Sequence, residues 1–400
     1  MTDNEQQVGD VFAGAGRAAR YVEPEHTSTR AQVDEALREA SGEDELIQVP
    51  AEFAAPRPAH AEPVEELPPI PAAPPSAPTT EIPETIFLDP VADLSVASTI
   101  QKQPVATQGL RGVLSKLGIK VEPGARERAM LDAAEALRRD EEVIRQATWP
   151  GPRAILVGNK KGGTGKTPVA LIVGGVLAAV RGGSVAIMEV SDDPGALTFR
   201  AEGNPSLGIG ELVRDVERIT NAGQLAGYTA PQTSFASVIG TVGRRPRLTR
   251  EDVVAAAGVI DEFYSIRVMD SGNQPSSSAF EGAVDTADAL VIPVLNAGDA
   301  VLEAVAMVEE LRASGERGAQ LADNAIVIRL TDGRPEHPQV IERVNRIIDG
   351  MHVREVYHVP YDEHIAERGQ ITLSRLSPAT RAAFTAATAG VVKALKSTAR

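Results

Sequence analysis

The chain has 400 residues, with 40 Lys plus Arg against 55 Asp plus Glu, a formal net charge of −15, and no cysteine. The missing cysteine excludes a disulfide framework, a thiolate nucleophile and a zinc–thiolate site, and fits a reducing cytoplasm. No apolar run reaches the roughly 18 residues that span a bilayer, and the first residues lack a basic stretch followed by an apolar core, so the sequence reads as a soluble cytoplasmic protein.

Charge is unevenly placed along the chain. Residues 1–100 hold 5 Arg, no Lys and 19 Asp plus Glu, which leaves 35 basic and 36 acidic residues for positions 101–400. The low pI therefore belongs to the N-terminal region, and the nearly neutral remainder is not barred from nucleic acid. Residues 1–49 read as an acidic disordered tail with short helices near 11–21 and 32–40, either solvated or folding onto a partner on contact. Residues 50–100 form a proline-rich linker: 12 prolines lie between Pro50 and Pro90, a composition that cannot bury enough apolar surface to offset chain entropy. Residues 101–150 read as a helical extension. Leu110, Val113, Leu114, Leu117 and Ile119 suggest a short amphipathic helix at 109–121, interrupted by Gly112 and Gly118. A second helix at 125–147 packs with it on the following domain, with docking to a membrane or partner as the alternative.

From Arg153 onward, short apolar runs alternate with helical stretches. The runs at 154–158, 184–190, 265–270, 289–294, 325–330 and 353–359 suit strands buried on both faces, with helices such as 167–181 and 301–313 between them. That pattern predicts a mostly parallel, doubly wound α/β sheet over residues 151–400, with ligands bound at the carboxyl ends of the strands.

The first run is followed by Lys160-Lys161-Gly162-Gly163-Thr164-Gly165-Lys166-Thr167-Pro168. A strand, a glycine-rich loop and a helix start form a phosphate cradle: the glycines admit close approach of backbone N–H groups, Lys166 reaches the β and γ oxygens, and the Thr167 hydroxyl ligates magnesium. A nucleoside triphosphate and magnesium are thus the expected ligands. Pro168 has no N–H to offer the α-phosphate, although its ring is tolerated in a first helical turn. Asp270 ends the apolar run Arg267-Val268-Met269, where a carboxylate sits near magnesium through water.

The spelling Lys161-Gly-Gly-Thr-Gly-Lys166-Thr167 resembles the deviant P-loop of ParA/MinD ATPases, and Ala287 through Val294, with its Ile-Pro-Val ending, is similar to the strand that follows Asp270 in that family. The resemblance covers roughly 153–398. It implies a P-loop NTPase fold and an ATP-dependent homodimer in which Lys161, the signature lysine, touches the partner's nucleotide. Where the family has Asp-x-Asp-Pro, with the second Asp positioning water, this chain has Glu189-Val190-Ser191-Asp192-Asp193-Pro194. Aligned without a gap, Ser191 takes that place; aligned on the proline, Asp193 does; and Asp192 and Asp193 equally suit a helix N-cap. Slow hydrolysis, or a regulatory pseudo-ATPase, follows if Ser191 is the match. Pro360 and Asp362 resemble the family's late proline loop at the base, the alternative being a loop proline beside a surface carboxylate.

The resemblance implies plasmid or chromosome partitioning, or positioning of another cargo, with a ParB-like partner. Partitioning needs a basic patch for nonspecific DNA, and Arg244, Arg245, Arg247 and Arg250 supply one unless they are merely a solvated loop; DNA binding would make the protein nucleoid-associated. Membrane positioning is disfavoured because residues 378–400 are alanine-rich, with Phe384, Val391, Val392 and Leu395 as their large apolar groups. The N-terminal extension and the ending around Ser377-Pro378-Ala379-Thr380-Arg381 also resemble ParA-like ATPases of actinobacteria, some encoded with type VII secretion systems. That resemblance implies a secretion-system partner bound through the N-terminal region.

Overall fold

The computed structural model describes residues 124–398, so the readings for 1–49, for the 50–100 linker and for the 109–121 helix lie outside the described residues. In chain order the principal elements are α1 (Ala125–Gln146), β1 (Arg153–Val157), α2 (Lys166–Arg181), β2 (Val185–Val190), α3 (Ile209–Asp215), β3 (Ala230–Pro231) and β4 (Ser237–Ile239). They continue with α4 (Arg250–Phe263), β5 (Ile266–Ser271), α5 (Ser278–Thr286), β6 (Ala289–Leu295), α6 (Gly298–Ala313), α7 (Glu316–Asp323), β7 (Ile326–Leu330), α8 (Pro338–Gly350), β8 (Glu355–Val359) and α9 (Pro378–Thr398).

All six apolar runs read from the sequence are strands. Among the described residues they form, with β3 and β4, one eight-stranded sheet of order β3-β4-β2-β5-β1-β6-β7-β8. Every pairing is parallel except the short β3–β4 pair. The continuous apolar character of β1, β2, β5 and β6 is explained by helices on both faces, since a strand covered twice has no solvent side. One apolar cluster joins α1, α2 and α9 to the sheet, and another gathers α3 to α8 on the opposite face.

Two helices show how the cover is fixed. The α2 helix is apolar around most of its circumference because the sheet lies on one side while α1 and α9 lie on the other. Its last-turn Arg181 donates to the carbonyls of Ile144 and Ala147 at 2.7 and 2.9 Å, tying the end of α1 to the domain. In α9, Phe384, Val391, Val392 and Leu395 are all fully buried, so the apolar groups weighed above as membrane anchors are committed to the core. No helix among the described residues is long and apolar enough to cross a membrane.

Strand β1 is central: β2 is reached through β5 on one side and β6 lies on the other. The direction of winding reverses there, which opens a crevice at the carboxyl ends of the strands. Register then aligns the chemistry, because Asp270 lies beside Val157 of β1 and beside Glu189 of β2.

Candidate nucleotide site

The chain leaves the sheet after Val157 and enters α2 at Lys166. Gly165 has φ 93°, in the left-handed region, and a Cβ there would stand 2.4 Å from Leu330 Cδ1, so both its conformation and its space require glycine. The N–H groups of Gly162, Gly163, Thr164 and Gly165 take part in no hydrogen bond among the described residues, and they lead into the positive end of α2. The loop around them is braced. Asn159 Nδ2 donates to Pro293 O at 2.8 Å, Lys161 N donates to Asn159 Oδ1 at 2.9 Å, and the Thr164 hydroxyl donates to Lys161 O at 3.3 Å. Backbone donors held open on a braced loop suit the oxygens of a polyphosphate.

Lys166 is buried and donates from Nζ to Lys161 O at 3.1 Å and to Asn273 Oδ1. Burial lowers its pKa to about 8, against the pull of the Asp270 carboxylate. Thr167 Oγ1 donates to Asp270 Oδ2 at 2.7 Å, whereas Asp270 Oδ1 is buried without a hydrogen-bond partner. Burial pushes the Asp270 carboxyl up to about 7; Glu189 adds to the push, while the Thr167 hydroxyl and Lys166 oppose it. A hydrated divalent cation beside Thr167 would satisfy Oδ1 and offset the burial of the charge, so these residues fit magnesium. Among the described residues no three His, Asp or Glu side chains are grouped to hold a metal unaided, and a cation here would share its ligands with bound phosphate.

In the segment after β2, Ser191, Asp192 and Asp193 all line the cleft. The Ser191 hydroxyl donates to Asp193 O at 2.7 Å and to Glu189 Oε1 at 3.3 Å. The Asp193 side chain is 70% exposed and pairs with Arg247 Nε at 3.1 Å. Between them Asp192 Oδ1 is buried without a partner. The buried carboxylate here is Glu189, whose Oε1 receives Gly195 N and Arg245 Nη2, both at 2.9 Å, together with the Thr241 hydroxyl, while its Oε2 has no partner. Sequence reading aligned Glu189 with a family aspartate but gave it no role; the signal available was a carboxylate near the end of an apolar strand.

Arg245 was missed altogether as an interior group. Its side chain is 2% exposed and also donates to the carbonyls of Ser191 at 2.8 Å, Asp192 at 2.6 Å and Asp193 at 3.1 Å. The four arginines therefore do not form one exposed patch. Arg244 and Arg247 stay on the surface, and Arg250, at the start of α4, donates to Asp285 Oδ2 at 2.5 Å.

Pro360 and Asp362, the residues read from the sequence as candidates for the base, line the cleft, and Asp362 is buried rather than a surface carboxylate. It accepts His364 N at 3.0 Å and Ser377 N at 2.9 Å, capping the turn Glu363–Ala366. Its pKa is lowered: burial works to raise it, and the hydrogen bonds it accepts outweigh burial. On the same loop, Lys161 pairs with Asp299 Oδ2 at 2.9 Å at the start of α6, and Lys160 with Glu310 at 2.5 Å; neither lysine lines the cleft. The whole cleft encloses about 890 Å³, ample for a nucleoside triphosphate.

Pro168 sits in the first turn of α2, where the helical ladder opens with Val169 N donating to Gly165 O at 2.9 Å. Its missing N–H therefore leaves the helix intact and subtracts one donor from the cradle. Pro168→Thr is expected to tighten ATP binding by about 0.5–3 kcal/mol in a competition titration, and unchanged affinity would rule that deficit out.

Fold and site together define a doubly wound α/β protein with a glycine-rich loop between its central strand and the following helix. No known family model matches the chain. Over 277 residues it is 24% identical to the ESX-1 secretion-associated protein EspI of Mycobacterium tuberculosis, in strains CDC 1551 / Oshkosh and ATCC 25618 / H37Rv, covering 66% of this chain and 38% of EspI. The chain thus spans well under half the length of the curated relatives it matches. Similar solved structures include a ParA family ATPase from Chlorobium tepidum TLS (15% identity, TM-score 0.48, covering 59% of this chain and 96% of that one). They also include the cell division ATPase MinD of Pyrococcus furiosus (15%, TM-score 0.47, 60% and 98%) and the MinC:MinD complex of Aquifex aeolicus (18%, TM-score 0.45, 59% and 93%).

Proposed function

We propose that the chain is a magnesium-dependent ATP-binding switch of the ParA/MinD type, with slow intrinsic hydrolysis and an ATP-dependent homodimer as its active state. The observation that carries this reading is the meeting, in one cleft, of Gly163 and Gly165 of the glycine loop, Lys166, and the Thr167–Asp270 pair with its free carboxylate oxygen. In this reading Lys166 exchanges its contacts with Lys161 O and Asn273 for phosphate oxygens, Thr167 ligates magnesium, and Asp270 holds a water on it. Magnesium, when bound, would neutralise phosphate charge and orient the terminal phosphate. Lys161 would leave Asp299 to reach a second copy's nucleotide; both partners are substantially exposed, so the pair costs little to break. Slow turnover is the expectation from the segment after β2: Ser191 has no carboxylate to orient water and Asp193 is exposed beside Arg247, which leaves that task to Asp192, whose Oδ1 is buried without a partner.

For the cargo, the match to a secretion-associated protein favours a role with a secretion apparatus over DNA partitioning. The inward turn of Arg245 and the pairing of Arg247 and Arg250 with carboxylates point the same way, since they thin the basic surface that phosphate contacts would need.

Calorimetric titration of magnesium–ATP into the full chain and into Lys166→Ala tests the site. Loss of at least about tenfold in affinity is expected for the variant, because a charge-assisted bond to phosphate is removed; equal affinity would refute the assignment. Turnover measured with and without DNA tests the cargo. DNA-stimulated hydrolysis with salt-sensitive DNA binding would restore the partitioning reading.

A further inference from the structure

A second cavity, of about 490 Å³, lies on the other side of β7 and is bounded by β8 and α8. Its wall carries Arg329, which is 3% exposed. Buried arginines ordinarily face a carboxylate, and no ion pair among the described residues includes this one. Instead its Nε donates to Asn296 Oδ1 and its Nη1 to Asn345 Oδ1, while Nη2 is buried with no acceptor at all. Glu336, which also lines the cavity, accepts from Asn296 Nδ2 and acts on the guanidinium through space rather than by a direct contact. Asp349 and His358 stand on the exposed rim, and Ile341, Ile348 and Val356 supply an apolar wall.

An unanswered guanidinium donor in a low-dielectric site is costly, and the two asparagines fix its plane rather than quench its charge. We propose that this cavity is a binding site for a small organic oxyanion, whose carboxylate or phosphate head pairs with Arg329 and whose body lies against Ile341, Ile348 and Val356. The site is separate from the phosphate cradle and independent of the nucleotide reading; Thr331 borders both cavities.

The test is calorimetry on the full chain in a Lys166→Ala background, which removes the cradle as a competing anion site, with inorganic phosphate and butyrate as probes at constant ionic strength. At least one probe is expected to bind with a single site, and which of them binds tells whether the head is phosphate or carboxylate. Arg329→Gln should then weaken binding by about tenfold or more. His358→Asp, on an exposed strand position that leaves the core alone, should weaken it severalfold and decides the matter if Arg329→Gln fails to fold. No binding of either probe, or equal affinity in the parent and in both variants, would overturn the proposal.

Discussion

Arg245→Ala is expected to destabilise the protein by about 3–5 kcal/mol, the cost of stripping one partner from a buried ion pair. The guanidinium donates to Glu189 Oε1 at 2.9 Å, with the two side chains 2% and 1% exposed, and also holds Thr241 and three successive carbonyls after β2. Truncation leaves the Glu189 charge buried and frees residues 191–193 from their clamp. For a domain of this size that corresponds to a fall of roughly 10 °C in melting temperature. Arg247→Ala, two positions along the same run, removes an exposed pair with Asp193 and should cost under about 1 kcal/mol. Thermal melts of the two variants separate a clamp from a surface charge run: equal small effects would contradict the clamp. Adding Glu189→Gln to Arg245→Ala should recover part of the loss, since the uncompensated charge is then gone.

Asp270→Asn is expected to stabilise the ligand-free protein at pH 8 by about 4 kcal/mol while removing the help that magnesium gives to ATP binding. The sign follows from the direction of the shift. Folding raises the Asp270 pKa from 3.8 to about 7 because the charged carboxylate is buried. The folded state then holds a proton that the unfolded state has released, so the stability this group contributes is complete below pH 4 and lost as pH rises through 7. The isosteric amide keeps the Thr167 contact and carries no buried charge. Urea unfolding of both proteins between pH 4 and 8 should show a gap that widens with pH; a constant gap, or a destabilised variant at pH 8, would contradict the reading. The same shift predicts that magnesium-dependent ATP affinity of the unaltered protein rises between pH 6 and 8, as the carboxylate ionises.

Much of this architecture was legible in local pattern. Strands covered on both faces leave apolar runs such as Ala154–Val157 and Ala289–Val294, and the glycine loop with Lys166 and Thr167 states its chemistry in consecutive residues. Residues whose roles depend on distant partners were not legible. Strands β3 and β4 span two and three residues, too short for any periodicity to register. Arg245 sits in a run that looks like solvated charge and becomes interior because its loop folds beneath the end of β2, more than 50 residues earlier. Asp362 looked like a loop carboxylate because its ligands, the backbone N–H groups of His364 and Ser377, are invisible in side-chain chemistry. For the segment after β2, two alignments were open on sequence alone; all three of Ser191, Asp192 and Asp193 line the cleft, and what sequence could not show is that the Asp193 side chain is exposed beside Arg247 while Asp192 Oδ1 is buried.

The central claim, that nucleotide state controls assembly through Lys161, is tested most directly by measuring the solution mass of the full chain by light scattering with saturating magnesium–ATP and then with magnesium–ADP. A dimer with ATP and a monomer with ADP are predicted, with Lys161→Ala staying monomeric in both while still binding nucleotide. The same mass in both nucleotide states, or a Lys161→Ala protein that dimerises normally, would contradict the account.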